Sequence, residues 1–125
     1  MKSKILSLML LCATAATQAA VVDIVWSDDT RFLHSADIPA GKILEVCGRL
    51  PAGISVAWSF TSSAPVESNV HYHEGKQVTY PARHAAAVAL QDKLELKLEQ
   101  EYCWMWSNKT QQTVQVGVQL EKVKN

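Results

Sequence analysis

The feature that most restricts the fold of this chain is a repeated period of two. From Ile54 to Phe60, the apolar residues Ile54, Val56, Trp58 and Phe60 alternate with Ser55, Ala57 and Ser59. Successive side chains of a strand point to opposite faces, so this run has one apolar face and one small, polar face. Leu94, Leu96 and Leu98 alternate with Glu95, Lys97 and Glu99, and Val114, Val116, Val118 and Leu120 alternate with Gln115, Gly117 and Gln119. Leu, Glu and Lys are good helix formers, but a period of 3.6 would scatter the three leucines that a period of two aligns. These runs predict strands with one wet face.

The remaining segments extend the pattern. Val21–Trp26 is rich in β-branched residues, and Lys42–Leu50 reads as a strand carrying Cys47. In Val66–His73, Val66, Ser68, Val70 and Tyr72 share one face, and Glu67, Asn69, His71 and His73 share the other. A turn at Glu74-Gly75 returns the chain through Lys76–Tyr80, which predicts a hairpin. Pro39-Ala40-Gly41, Pro51-Ala52-Gly53, Thr61–Pro65, Pro81–His84 and Ser107–Gln112 are breaks. Phe32, Leu33 and Ile38 follow no clear period. Ala85–Leu90 is open between strand and turn, because its alanines favour helix but the run is too short for a stable one. Seven to eight short strands separated by turns predict an all-β fold, an antiparallel β-sandwich of jelly-roll type.

Residues 1–20 are read as a secretory signal peptide, leaving one domain over 21–125. Lys2 and Lys4 form a short basic start, Ile5–Ala16 is mostly apolar, and Thr17-Gln18-Ala19-Ala20 offers small residues for cleavage. The apolar run is shorter than a bilayer requires. Leu10 and Leu11 precede Cys12 where a lipid-anchor signal would place small residues. The expected mature chain carries ten basic and twelve acidic residues with no block of one sign. That distribution offers no footprint for nucleic acid and no polybasic membrane patch. No second apolar segment follows, so no transmembrane anchor is expected, and the location is periplasmic or secreted.

Two cysteines then remain, Cys47 and Cys103. An even count in an exported chain favours a disulfide, and two free thiols serving as metal ligands are the alternative. Cys103 lies in Tyr102-Cys103-Trp104-Met105-Trp106, which also holds two of the four tryptophans. Alternation sets a conflict here. If Tyr102, Trp104 and Trp106 face the core, Cys103 faces away from it, and Cys47 likewise shares parity with Glu45 and Arg49. A bulge near Gly48 would change that register.

In order and spacing, residues 42–121 resemble the GOLD domain, the lumenal β-sandwich of the emp24 (p24) cargo proteins and of some lipid-transfer proteins. The resemblance is carried by Leu44-Glu45-Val46-Cys47, the alternating Ile54–Phe60, Val70–Gly75, Tyr102-Cys103-Trp104 with Asn108, and the Val-rich Val114–Leu120. It implies a Cys47–Cys103 disulfide, a jelly-roll-like sandwich, and a role in binding other molecules rather than in catalysis. The coiled coil, membrane helix and tail that follow this domain in the cargo proteins have no counterpart here, so cargo selection does not carry over.

The candidate chemistry is sparse. His71 and His73 project to one face of a strand, a geometry suited to copper or zinc, with Glu74 adjoining and His84 placed to approach across the hairpin. A solvated polar strand face is the competing reading. Trp104, Met105 and Trp106 are a candidate binding surface, against the commoner fate of large aromatics in the core. No catalytic triad, phosphate loop or dinucleotide fingerprint is present. Asn108-Lys109-Thr110 fits the N-glycosylation sequon. The sequence therefore points to an exported, non-catalytic binding module for a protein or small ligand that it does not name. It requires no cofactor, and copper or zinc bound by the His-Tyr-His strand is the alternative.

Overall fold

The structure, a computed structural model, describes residues 20–125. All but the last residue of the expected signal peptide lies outside the described residues. Among the described residues the fold is all-β, with seven strands: β1 (Ala20–Asp23), β2 (Arg31–Ile38), β3 (Ile43–Leu50), β4 (Ile54–Glu74), β5 (Gln77–Glu95), β6 (Gln100–Ser107) and β7 (Val114–Lys124). Among the described residues no helix is long and apolar enough to cross a membrane.

The architecture is built on one long hairpin. β4 and β5 pair antiparallel over nearly their whole length and turn at Gly75-Lys76. Gly75 has φ 59°, the left-handed conformation that glycine adopts without steric cost. Along its other edge β4 changes partner. β7 pairs with Ile54–Ser62, and β6 pairs with Glu67–His71. β6 then pairs with β3, and β7 with β2, all antiparallel. β1 adds to β3 in parallel, so the sheet is mixed. The result is one sheet bent across its middle into two arms, β1-β3-β6 and β2-β7, each continued by one half of the hairpin.

The inner faces of the two arms close on a single core. Trp104 and Trp106 are fully buried with Val46, Val56, Val70, Val114 and Leu120. Burying each tryptophan removes roughly 150–250 Å² from water. Trp106 meets Trp58 and Phe60 edge to face, with centroids 6.4 and 6.1 Å apart. The bend is fastened by Asn108, which is 1% exposed. Its side-chain amide donates to the carbonyls of Ile38 at 2.9 Å and Gln112 at 2.7 Å. Its Oδ1 accepts from the backbone N–H and the hydroxyl of Thr110. The sequon asparagine is thus a buried structural amide, not a surface acceptor for a glycan.

The register settles the parity conflict. β3 and β6 pair without interruption from Ile43↔Ser107 to Leu50↔Gln100, with no bulge at Gly48. Tyr102, Trp104 and Trp106 face inward, and Cys47 and Cys103 stand directly opposite each other on the outer face, joined in a disulfide. Gly48 faces inward, where an added Cβ would lie 3.2 Å from the Cβ of Ile24.

Three segments differ from expectation. Arg31–Ile38 is a full strand whose inward residues are Phe32, His34, Ala36 and Ile38, a period of two disguised by a histidine and an alanine. Thr61–Pro65 is no loop, because β4 runs through it as the bend itself. Pro81–Leu90 belongs to β5, which pairs only with β4. Its other edge is free, so proline can sit there without breaking a ladder.

Candidate binding face around His71

The outer face of the β1-β3-β6 arm and the neighbouring half of the hairpin carries the polar residues that alternation turns away from the core. One cross-strand row runs Asp23, Cys47, Cys103, His71. The next runs Glu45, Met105, Asn69, Arg83. Both cysteines are nearly covered although they lie on the outer side, at 5% and 8% exposure.

His71 is the most buried polar side chain on this face, at 4% exposure. It reaches back over β6, bringing Nε2 to 3.3 Å from Glu45 Oε1, while Nδ1 lies 2.8 Å from Asn69 Oδ1. Each ring nitrogen faces an oxygen, so one proton serves only one of them, and a second would place a charge in a site shut off from water. Burial pushes the His71 pKa below its ordinary value. Glu45 pulls it up less strongly, and His73 pushes it down further.

A β-bulge sets the edge of this face. Between Val70↔Ala82 and Tyr72↔Thr79, the single residue His71 opposes the two residues Tyr80 and Pro81. The bulge brings the Tyr80 ring to 5.7 Å from the ring of His71. Arg83 stacks its guanidinium 3.8 Å from the Tyr80 centroid and makes no ion pair among the described residues. A shallow groove beside them is lined by Glu67, Asn69, Tyr80, Arg83, Met105, Ser107 and Lys109, and also by Ser68, His84 and Ala85. The face therefore offers a pre-oriented cation on an aromatic support, with a thioether, one amide and a carboxylate around it.

The candidate residues of the sequence are distributed unevenly. His71 and His73 share the face, with ring centroids 5.3 Å apart. His84 does not join them. It pairs with Ser68 on the inner side, lies 5.5 Å from the Trp58 ring and holds Asp92 Oδ2 at 2.9 Å. Glu74 closes the hairpin opposite Gln77, one position past His73 and so on the other side of the strand. Among the described residues no group of three or more His, Cys, Asp or Glu side chains is arranged to hold a metal ion. Trp104 and Trp106 are fully buried and form no surface, whereas Met105 stays half-buried on the outer face. Glu45, Tyr80 and Arg83 were not legible as site residues. The one available signal was Pro81, since proline inside a strand marks a bulge or a free edge.

The fold and this face define a small all-β domain with a polar, solvent-facing sheet surface. No family model matches the sequence, and no curated protein matches it. Among solved structures, the chain is similar in fold to Aeromonas hydrophila PliG, described as a periplasmic lysozyme inhibitor of g-type lysozyme. The TM-score is 0.64 at 12% identity, covering 84% of this chain and 97% of that one. The likeness is one of fold, to a small all-β domain, and does not extend to the GOLD domain in particular.

Proposed function

We propose that this protein is an exported, non-catalytic binding module whose partner is a protein, namely a lysozyme that it inhibits. The observation that carries the reading is the extent of the structural match: 97% of the PliG chain is covered. The disulfide between Cys47 and Cys103 supports export, because such bonds persist in oxidising compartments. The Tyr80–Arg83 stack supports a protein partner, since tyrosine and arginine are, with tryptophan, the residues enriched at the energetic centres of protein interfaces.

The test is to measure lysis of cell-wall suspensions by g-type, c-type and i-type lysozymes, with and without the purified protein. The expected result is stoichiometric inhibition of one type, and no lysis by the protein alone. Unchanged lysis by all three at a large molar excess would sink the reading.

A second reading, copper or zinc held by His71 and His73, rests on the 5.3 Å spacing of the two rings. It requires His71 to give up its contact with Glu45 or Asn69. Calorimetric titration with Cu²⁺ and Zn²⁺ decides it: heat that disappears in a His71→Ala, His73→Ala variant supports it, and no heat at micromolar metal removes it.

A further inference from the structure

The opposite arm carries a surface that this reading does not use. Gly117 sits in the middle of β7, between Ser35 of β2 and Thr61 of β4. Nothing in the fold requires a glycine there. Its φ is not positive, and an added Cβ would meet only Thr61 Oγ1 at 3.6 Å and Ser35 Oγ at 3.9 Å, ordinary contacts. Glycine inside a strand weakens it and recurs where a ligand or another backbone approaches closely. Among the described residues, no backbone beyond Gly117 and its two chain neighbours lies within 4 Å of the Cβ position.

Gly117 floors an open depression of about 620 Å³ that Ser35, Asp37, Thr61, Ser63 and Gln115 also line. Through Ser35, Thr61 and Gly117 it continues into a second depression beside Leu33 and Gln119. Through Ser59 and Gln119 the second continues into a third, reaching Lys93 and Glu121. The three form one trough along the outward residues of β4, Ala57, Ser59, Thr61 and Ser63, none larger than threonine. At about 3.3 Å per residue the trough runs roughly 20 Å.

The chemistry of the trough selects its occupant. Its central stretch presents hydroxyls and amides, which both donate and accept, and the charges lie toward its ends, Asp37 at one and Lys93 with Glu121 at the other. β7 is paired on both edges, by β4 and β2, and β4 by β7 and β5, so an extended peptide cannot add as a strand. An apolar partner would find only Leu33. We propose that this trough binds a neutral polysaccharide chain, laid along β4 with one sugar ring seated over Gly117 between the hydroxyls of Ser35 and Thr61.

Saccharide binding is tested on the purified protein without any lysozyme, so that this measurement stands apart from the inhibitor reading. Binding is measured by calorimetry with soluble N-acetylated chito-oligosaccharides and by sedimentation with insoluble chitin. The expected result is saturable binding that falls about tenfold or more in Gly117→Gln, whose side chain fills the seat, and in Ser35→Ala, Thr61→Val, which removes both hydroxyls. Thermal unfolding of both variants should stay close to that of the parent. Absence of saccharide binding by the parent, or equal binding by parent and folded variants, overturns the proposal. If the parent ignores saccharides while Gly117→Gln loses lysozyme inhibition, the trough belongs to a protein interface and the proposal is likewise overturned.

Discussion

The side-chain amide of Asn108 donates to the backbone carbonyl of Ile38, 70 residues away in sequence. The bond ties the end of β2 to the break that follows β6, at the line where the sheet bends. Asn108→Ala leaves a buried carbonyl unpartnered, and the expected loss is about 1–3 kcal/mol of stability. Urea denaturation checks it, with Lys109→Ala as a neutral control. Asn108→Asp tests the same point, because a carboxylate cannot donate to Ile38.

Reducing the Cys47–Cys103 bond releases a loop with a sequence separation of 56. Removing a native disulfide from a small exported domain costs about 2–5 kcal/mol. Cys47→Ala, Cys103→Ala should therefore unfold at markedly lower denaturant with an unchanged strand signal by circular dichroism before the transition. Two alkylatable thiols in the untreated protein would contradict the bond.

The burial of His71 gives stability a pH dependence of known sign. Its pKa is lowered in the folded state, so at mildly acid pH the unfolded chain binds a proton that the folded one refuses. The His71 contribution is neutral above the ordinary histidine value, near 6.5, and becomes a growing penalty as pH falls from there toward the folded pKa. The melting temperature of the parent should drop more between pH 8 and pH 5 than that of His71→Gln. Glu45→Gln removes the one group pulling the pKa up, so the histidine ring should titrate at still lower pH by NMR.

Two glycines make opposite predictions. At Gly48 an added Cβ presses on the branched Cβ of Ile24, which cannot swing aside. Gly48→Ala should destabilise by about 1–3 kcal/mol. At Gly117 the Cβ has room, so Gly117→Ala should be neutral or stabilise by up to about 1 kcal/mol. Denaturant midpoints of the two variants against the parent decide both.

If the Tyr80–Arg83 stack meets the partner, Arg83→Ala should weaken inhibition by at least about tenfold, with Arg83→Lys recovering little, because a lysine cannot reproduce the stacked fork. Inhibition unchanged in Arg83→Ala would move the interface elsewhere.

Alternation carried most of the fold. Ile54–Phe60, Tyr102–Trp106 and Val114–Leu120 face as their period of two dictates. The strands that escaped notice are those where small or polar residues face the core, as His34 and Ala36 do in β2 and His84 does in β5. The site was less legible because it is made by cross-strand register. His71 meets Glu45 across an intervening strand, and Tyr80 meets His71 through a bulge; neither relation exists along the chain. His84 was hard to place from the sequence because register shifts in the hairpin pair it with inward Ser68 rather than outward Asn69.

The disulfide encloses the entire β4–β5 hairpin, whose tip at Gly75-Lys76 is exposed. Cys47 lies before that tip and Cys103 after it. A protease that cut the tip would leave two fragments joined covalently and still paired in the sheet. The nicked protein would run as one species without reductant and as two with it, and could keep its surfaces in an environment rich in proteases.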